Sequence, residues 1–268
     1  MERANETFYE DKIYSSRIIK ASALLTDTKT LLSHWDASFS VQENLDRVRR
    51  ENIFGKASRS RVEDILIIFR QRYLVSETVT KSLVALVHGH FMTEGLERIL
   101  YFYATQSDRL LHDIVTEILA PFRQSGKIDV TVQDIQSVIL KWMNEGKTIG
   151  QWSDETVLRV TRGLLYTLRD FSVLEGIVHK HLAPIYLPVE AFSYLAFYLQ
   201  QQQPSGELLL HHPEWRLFFL THHGVEHFFL EAHQRRLLEY HAAGSVIRVT
   251  FPTTSIEEYA HALTQRTY

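Results

Sequence analysis

Helix-start signals recur through this chain, and no other feature narrows the choice of fold as sharply. Ser40-Val-Gln-Glu43 puts a hydroxyl and a carboxylate at the spacing where each satisfies a free amide of a new helix. Ser60-Arg-Val-Glu63 repeats the pattern. Val62, Ile65, Leu66, Phe69 and Tyr73 follow at intervals of three and four, one helical face. Ile67 and Ile68 add apolar surface on other faces, as expected of a central, buried helix. Ser76, Ser107, Thr131, Ser153 and Ser255 head further apolar stretches. The fold class expected is mostly α.

The first capping box opens a helix through Leu45 and Val48 to about Asn52, ended by Phe54-Gly55. Helices are expected at Glu77–Phe91, Thr93–Thr105 and Asp108–Phe122, then at Val132–Glu145 and Asp154–Asp170. Gln124-Ser-Gly-Lys127 marks a boundary between a helical N-terminal domain, residues 1–126, and a C-terminal region, residues 127–268. In that region Ser172–Val178 and Ile185–Leu187 are β-prone, and an apolar helix runs from Pro188 over Val189–Leu199. Gln200–Gln203, before Pro204 and Gly206, reads as a fraying helix end and linker. Pro213–Thr221 and Gly224–Gln234 read as helices, Leu237–His241 and Val246–Phe251 as strands around Ala242-Ala243-Gly244-Ser245, and Ser255 caps a last helix through Leu263.

Helix, turn, helix and β-hairpin is the order of a winged helix-turn-helix. It is expected after residue 127, with a second helix-hairpin module at 213–252. In such a module the second helix can enter a DNA major groove while the hairpin lies along the backbone. The helix at Asp154–Asp170 fits that role. Its apolar side is Val157, Thr161, Leu164, Leu165 and Leu168; its opposite stripe is Glu155, Arg159, Arg162, Tyr166 and Arg169. Guanidiniums on one face can contact phosphates or bond guanine edges bidentately, although an ordinary solvated face has the same composition.

Charge points to a second place. The 268 residues carry 29 Lys and Arg against 32 Asp and Glu, a formal charge of −3, so any polyanion must be met by localised patches. One lies at Arg47, Arg49, Arg50, Lys56, Arg59 and Arg61, with Glu51 the one acidic residue in that span. Ser58 and Ser60 can add phosphate hydrogen bonds beside these cations. Equally, Arg47, Arg49 and Arg50 can complement the C-terminal dipole of their helix.

Other chemistries find less support. With no cysteine, the chain has no disulfide, thiolate zinc site, iron–sulfur ligation or cysteine nucleophile. It has no Walker-type loop, Gly-x-Ser-x-Gly elbow or His-Glu-x-x-His. His223 and His227, one helical turn apart beside Glu226, His211, His212 and His233, are the nearest approach to a metal motif. They read more readily as packed or surface residues. No enzyme, cofactor or metal is expected. The N-terminus Met1–Lys12 lacks the apolar stretch of a secretory signal, and no apolar run suits a membrane span, so a cytoplasmic protein without membrane contact is expected.

Several blocks resemble a known family. They are Tyr14-Ser-Ser-Arg-Ile-Ile-Lys-Ala-Ser-Ala-Leu-Leu25, Asn52-Ile-Phe-Gly-Lys-Ala-Ser-Arg-Ser-Arg-Val62 continuing to Arg72-Tyr-Leu74, and Trp152-Ser-Asp-Glu-Thr156. Leu164-Leu-Tyr-Thr-Leu-Arg-Asp170, Leu174-Glu-Gly176 and Leu187-Pro-Val-Glu-Ala-Phe-Ser-Tyr194 complete them. Together they are similar to BrxA, an accessory protein of BREX bacteriophage-exclusion systems, with Arg61 where that pattern has Thr. The resemblance implies a mostly helical protein that binds double-stranded DNA without enzymatic activity. It also implies partners, a methyltransferase and ATPase components among them, in a bacterial or archaeal cytoplasm. A scaffold within the same complex and an RNA-binding helical protein are the alternatives.

Overall fold

The computed structural model describes residues 14–184, 186–244 and 246–265. The expectation for Met1–Lys12 falls outside the described residues, as do Ile185 and the turn residue Ser245. In chain order the first elements are α1 (Ile18–Ala21), α2 (Leu25–Ser33), α3 (Val41–Glu51), α4 (Arg59–Tyr73), α5 (Glu77–His88) and α6 (Thr93–Ser107). There follow α7 (Arg109–Asp113), a π-helical turn (Ile114–Leu119), α8 (Ala120–Gln124), β1 (Asp129–Val130), α9 (Val132–Asn144) and α10 (Asp154–Asp170). Next are β2 (Leu174–Glu175), β3 (Lys180–Leu182), α11 (Val189–Gln202), α12 (Gly206–Leu210) and a 3-10 turn (Pro213–Phe218). The last are α13 (His222–Gln234), β4 (Glu239–Ala243), β5 (Val246–Thr250) and α14 (Ile256–Thr264). The fold is mostly helical, with two small antiparallel sheets.

Contacts divide the chain into two compact units. One draws on Met1–Ala23 and Thr105–Ala183, the other on Leu24–Ala104 and Pro184–Tyr268. Gln124–Lys127, where the sequence suggests a boundary, is a turn inside the first unit. Amides of Ser125, Gly126 and Lys127 bond back to the carbonyls of Pro121, Arg123 and Phe122, and Gly126 supplies the positive φ of 77°.

In the first unit α9 starts at a capping box, Thr131 with Asp134. The Ser153 side chain accepts from the Thr156 amide to start α10. Val157, Thr161, Leu164, Leu165 and Leu168 are all buried. Each fully buried leucine or valine contributes about 1.5–3 kcal/mol, enough to fix which side of α10 faces inward. A sheet of order β1-β3-β2 lies beyond, pairing Val130 with Lys180 and Leu174 with Leu182.

The segment before α1 is fastened from behind. Tyr14 bridges Thr148 in parallel, its amide donating to Lys147 O at 2.6 Å and its carbonyl accepting from the Ile149 amide at 2.9 Å. Its phenol donates to the buried Asp113 carboxylate at 2.8 Å. Arg109 Nε and His112 Nδ1 meet the same carboxylate at 2.9 and 2.8 Å. Burial opposes ionisation of Asp113, but bonds from His112 and Tyr14 and the Arg109 charge outweigh it and hold the carboxyl below its usual range. α1 then packs on α10 at Gly163, where an added Cβ would stand 3.2 Å from the Ile18 carbonyl oxygen.

In the second unit, α5 and α14 form the densest helix pair. Phe192 of α11 stacks on Trp215 and Phe228, with ring centroids 4.7 and 4.9 Å apart. Glu190, buried on α11, meets the Arg235 guanidinium at 3.1 Å. α13 leads into the hairpin β4–β5, in which Tyr240 pairs with Val249.

Several local expectations need correction. Ser60 does not cap a helix: α4 starts at Arg59 after Ser58, whose carbonyl already takes the Arg61 and Val62 amides, and no side-chain cap bond forms; the Glu63 carboxylate accepts from Arg49 instead. Asn52, at φ 45°, caps α3 before Gly55 is reached. Asp108 instead of Ser107 accepts from the Leu111 amide. The expected helix Asp108–Phe122 widens into the π turn just before Pro121, which lacks a helical donor. Within Ser172–Val178 only Leu174–Glu175 is strand, and Gly176 breaks it at φ 92°. Lys180–Leu182 forms the partner strand, while Tyr186 and Leu187 lie in no strand. The linker region carries α12, and Pro213–Phe218 is a 3-10 turn. Among the described residues no helix is long and apolar enough to cross a membrane.

Candidate nucleic-acid interface

The α10 stripe and the Arg47–Arg61 group belong to different units. On α10, Arg159 and Arg162 are exposed, and neither makes an ion pair or hydrogen bond among the described residues. Tyr166 follows one turn later, 47% exposed. Arg169 lies over its ring, guanidinium carbon 5.4 Å from the centroid, and also pairs with Asp170 at 2.8 Å. Lys180 of β3 approaches the same ring, with Nζ 5.2 Å from the centroid. The α10 face thus carries an aromatic ring beside two cations, and two solvated guanidiniums one turn apart.

Burial of the opposite side forces this exposure. Thr161 is the one polar member of the inner stripe, and its hydroxyl bonds to Val157 O at 2.9 Å inside the helix. Glu155 stands in the first turn, exposed, where the helix dipole favours a carboxylate.

The second group is arranged differently. Arg47 donates to His34 O, faces Asp36 at 3.8 Å and lies 5.2 Å from the Phe39 ring centroid. Arg49 is held by Asp46 at 2.5 Å and Glu63 at 2.9 Å. The bond it donates to Glu63 is the main reason its guanidinium holds its proton more tightly than usual. Lys56 pairs with Asp27 at 3.0 Å. Arg50 is exposed, 4.0 Å from Glu51, Arg59 is exposed, and Arg61 is half-buried. A cleft of about 540 Å³ among Arg49, Arg50, Lys56 and Arg59 is also lined by Asp46 and Glu63. Much of the positive charge counted along the sequence is therefore neutralised in place.

The histidines do not converge. His211 and His222 stack with ring centroids 4.2 Å apart, His223 points to solvent 3.9 Å from Glu226, and His233 accepts from the Tyr240 amide. Burial lowers the pKa of His212, which favours its neutral form. Among the described residues no three His, Asp or Glu side chains gather as metal ligands would.

Sequence reasoning missed the loop between β2 and β3. Its Ile177 and Val178 are 80% and 81% exposed, and Lys180 at its base reaches Tyr166. The available signal was Gly176, a glycine inside a β-prone run.

A family model described as BrxA matches residues 12–198 of the chain. No curated protein matches it.

Proposed function

This chain belongs to the BrxA family and is a component of a BREX defence system, and we propose that it binds double-stranded DNA there without catalytic activity of its own. The observation that carries the reading is the pair of exposed guanidiniums, Arg159 and Arg162, without a partner among the described residues, one turn apart beside Tyr166 on a helix whose other side is buried. The succession of α9, α10 and the β2–β3 hairpin, with β1 joining the sheet, follows the order of a winged helix. In that reading α10 enters the major groove, Arg159 and Arg162 meet phosphates or guanine edges, and Lys180 and Arg169 flank the backbone. Arg50 and Arg59, exposed in their own unit, are weaker candidates for phosphate contact.

The protein would act in the cytoplasm of a bacterial or archaeal cell together with the system's methyltransferase and ATPase components. Phosphate contacts supply most of the affinity, which makes binding steeply salt-dependent. A salt titration of duplex affinity tests this. Replacing Arg159, Arg162 and Arg169 together by Gln is expected to weaken binding and to lower the slope by about 2 to 3. A variant with unaltered affinity and slope would remove α10 from the interface. Competition with structured RNA separates a duplex-DNA reader from an RNA binder.

A second reading, an adaptor for other BREX proteins, draws on a cleft of about 670 Å³ in the second unit, lined by Trp35, Phe39, Val41 and Val84 among others. Phe39 and Val41 are each 43% exposed. Co-purification of a BREX partner, without DNA retention at low salt, would favour it.

A further inference from the structure

The loop joining β2 to β3 has the wrong chemistry for a solvated turn. Four residues, Gly176, Ile177, Val178 and His179, connect paired strands, and the two at the tip are β-branched and apolar. Such tips ordinarily carry Gly, Asn, Asp or Ser, because the backbone must turn in water. Here Ile177 and Val178 are 80% and 81% exposed, beyond any other large apolar side chain among the described residues.

The tip is also built to stay presented. Gly176 sits at φ 92°, where any Cβ would collide with the His179 carbonyl oxygen. Lys180 Nζ donates to Ile177 O at 3.0 Å and lies 5.2 Å from the Tyr166 ring centroid, tying the loop to the exposed side of α10. At the hairpin base His181 pairs with Glu175 at 2.8 Å.

We infer that Ile177 and Val178 form an apolar wedge that enters the groove of duplex DNA beside the site contacted by α10 and opens a base step there. The inference rests on the DNA-binding reading and deepens it. The occupant follows from the surroundings: Lys180, Arg162 and Arg169 attract a polyanion to this side of the unit, whereas an apolar tip gains nothing from a phosphate. Apolar side chains inserted between base steps unstack them and kink the duplex, and they do so without displacing counterions. The wedge therefore supplies a part of the affinity that salt does not screen.

Anisotropy of an end-labelled duplex, with energy transfer between its two ends, tests this on the full chain. Ile177→Ser with Val178→Ser should weaken binding about tenfold at every salt concentration, through lost apolar burial. The salt slope should stay as it was, and the duplex ends should move apart in the complex. Ile177→Leu with Val178→Leu should keep both affinity and bend. Unchanged affinity and end separation in the serine pair, while Arg159→Gln with Arg162→Gln still lowers the slope, would overturn the wedge and leave DNA binding standing. Failure of the unaltered protein to bind the duplex would remove both. Loss of a co-purifying BREX protein with duplex binding intact would assign the tip to a protein partner and overturn the inference equally.

Discussion

The stripe on α10 and the group from Arg47 to Arg61 present the same side chains in opposite conditions. Arg159 and Arg162 stand in solvent with no partner among the described residues. Arg47, Arg49 and Lys56, in the denser run of basic residues, are engaged by Asp36, by Asp46 and Glu63, and by Asp27. Cation density along a sequence therefore does not measure cation availability. A guanidinium already paired with carboxylates must lose those partners before it can hold a phosphate, and an exposed pair sets that cost at up to about 1 kcal/mol. The sparser set is the better prepared for a polyanion.

If availability depends on how firmly α10 is held, the largest effect should come from behind it. Asp113→Asn removes the charge that gathers Tyr14, Arg109 and His112 and should cost about 3 kcal/mol in urea unfolding. Because the Asp113 carboxyl titrates below its usual range, its contribution is complete above about pH 4 and lost as the solution is acidified through the lower folded-state value. The Asn variant should accordingly show a shallower acid loss than the parent protein. An unchanged unfolding midpoint in that variant would mean that Tyr14 and α1 do not brace the helix.

Helix caps sharpen the contrast at a smaller scale. Ser153→Ala should destabilise by about 1 kcal/mol, since that hydroxyl caps α10. Glu63→Gln releases Arg49 and should cost about 0.5 kcal/mol in thermal unfolding, with duplex affinity rising about twofold at most. A much larger rise would bring the second group onto the DNA path. Ser58→Ala should change least, because α4 begins with no side-chain cap bond.

How far the chain could be read before its structure varied with the range of the interactions. The bounds of α10 follow from a cap and an apolar stripe that are both local, and they were legible in full. For α9 with Thr131 and α14 with Ser255 the starts were equally legible, and the ends differ by one residue. Ser60 misled because α4 has already begun at Arg59, and its apparent partner Glu63 bonds to Arg49, which lies on another helix. The π turn before Pro121 and the loop at Gly176 each depend on one residue with unusual backbone properties, a proline that lacks an amide donor and a glycine that can take a positive φ, whose effect spreads over its neighbours. For the basic residues, Asp46 was visible three positions before Arg49, whereas Asp27 and Asp36 reach Lys56 and Arg47 only through the fold. Nothing local marks that kind of neutralisation.

One titration tests the difference between the two groups most directly: duplex DNA affinity against salt for the unaltered protein, for Arg159→Gln with Arg162→Gln, and for Arg50→Gln with Arg59→Gln. The α10 pair should lower the slope by about 2 and weaken binding more than tenfold, while the other pair moves the slope by less than about 1. A slope that falls with the Arg50 and Arg59 change, and holds with the α10 change, would contradict the account.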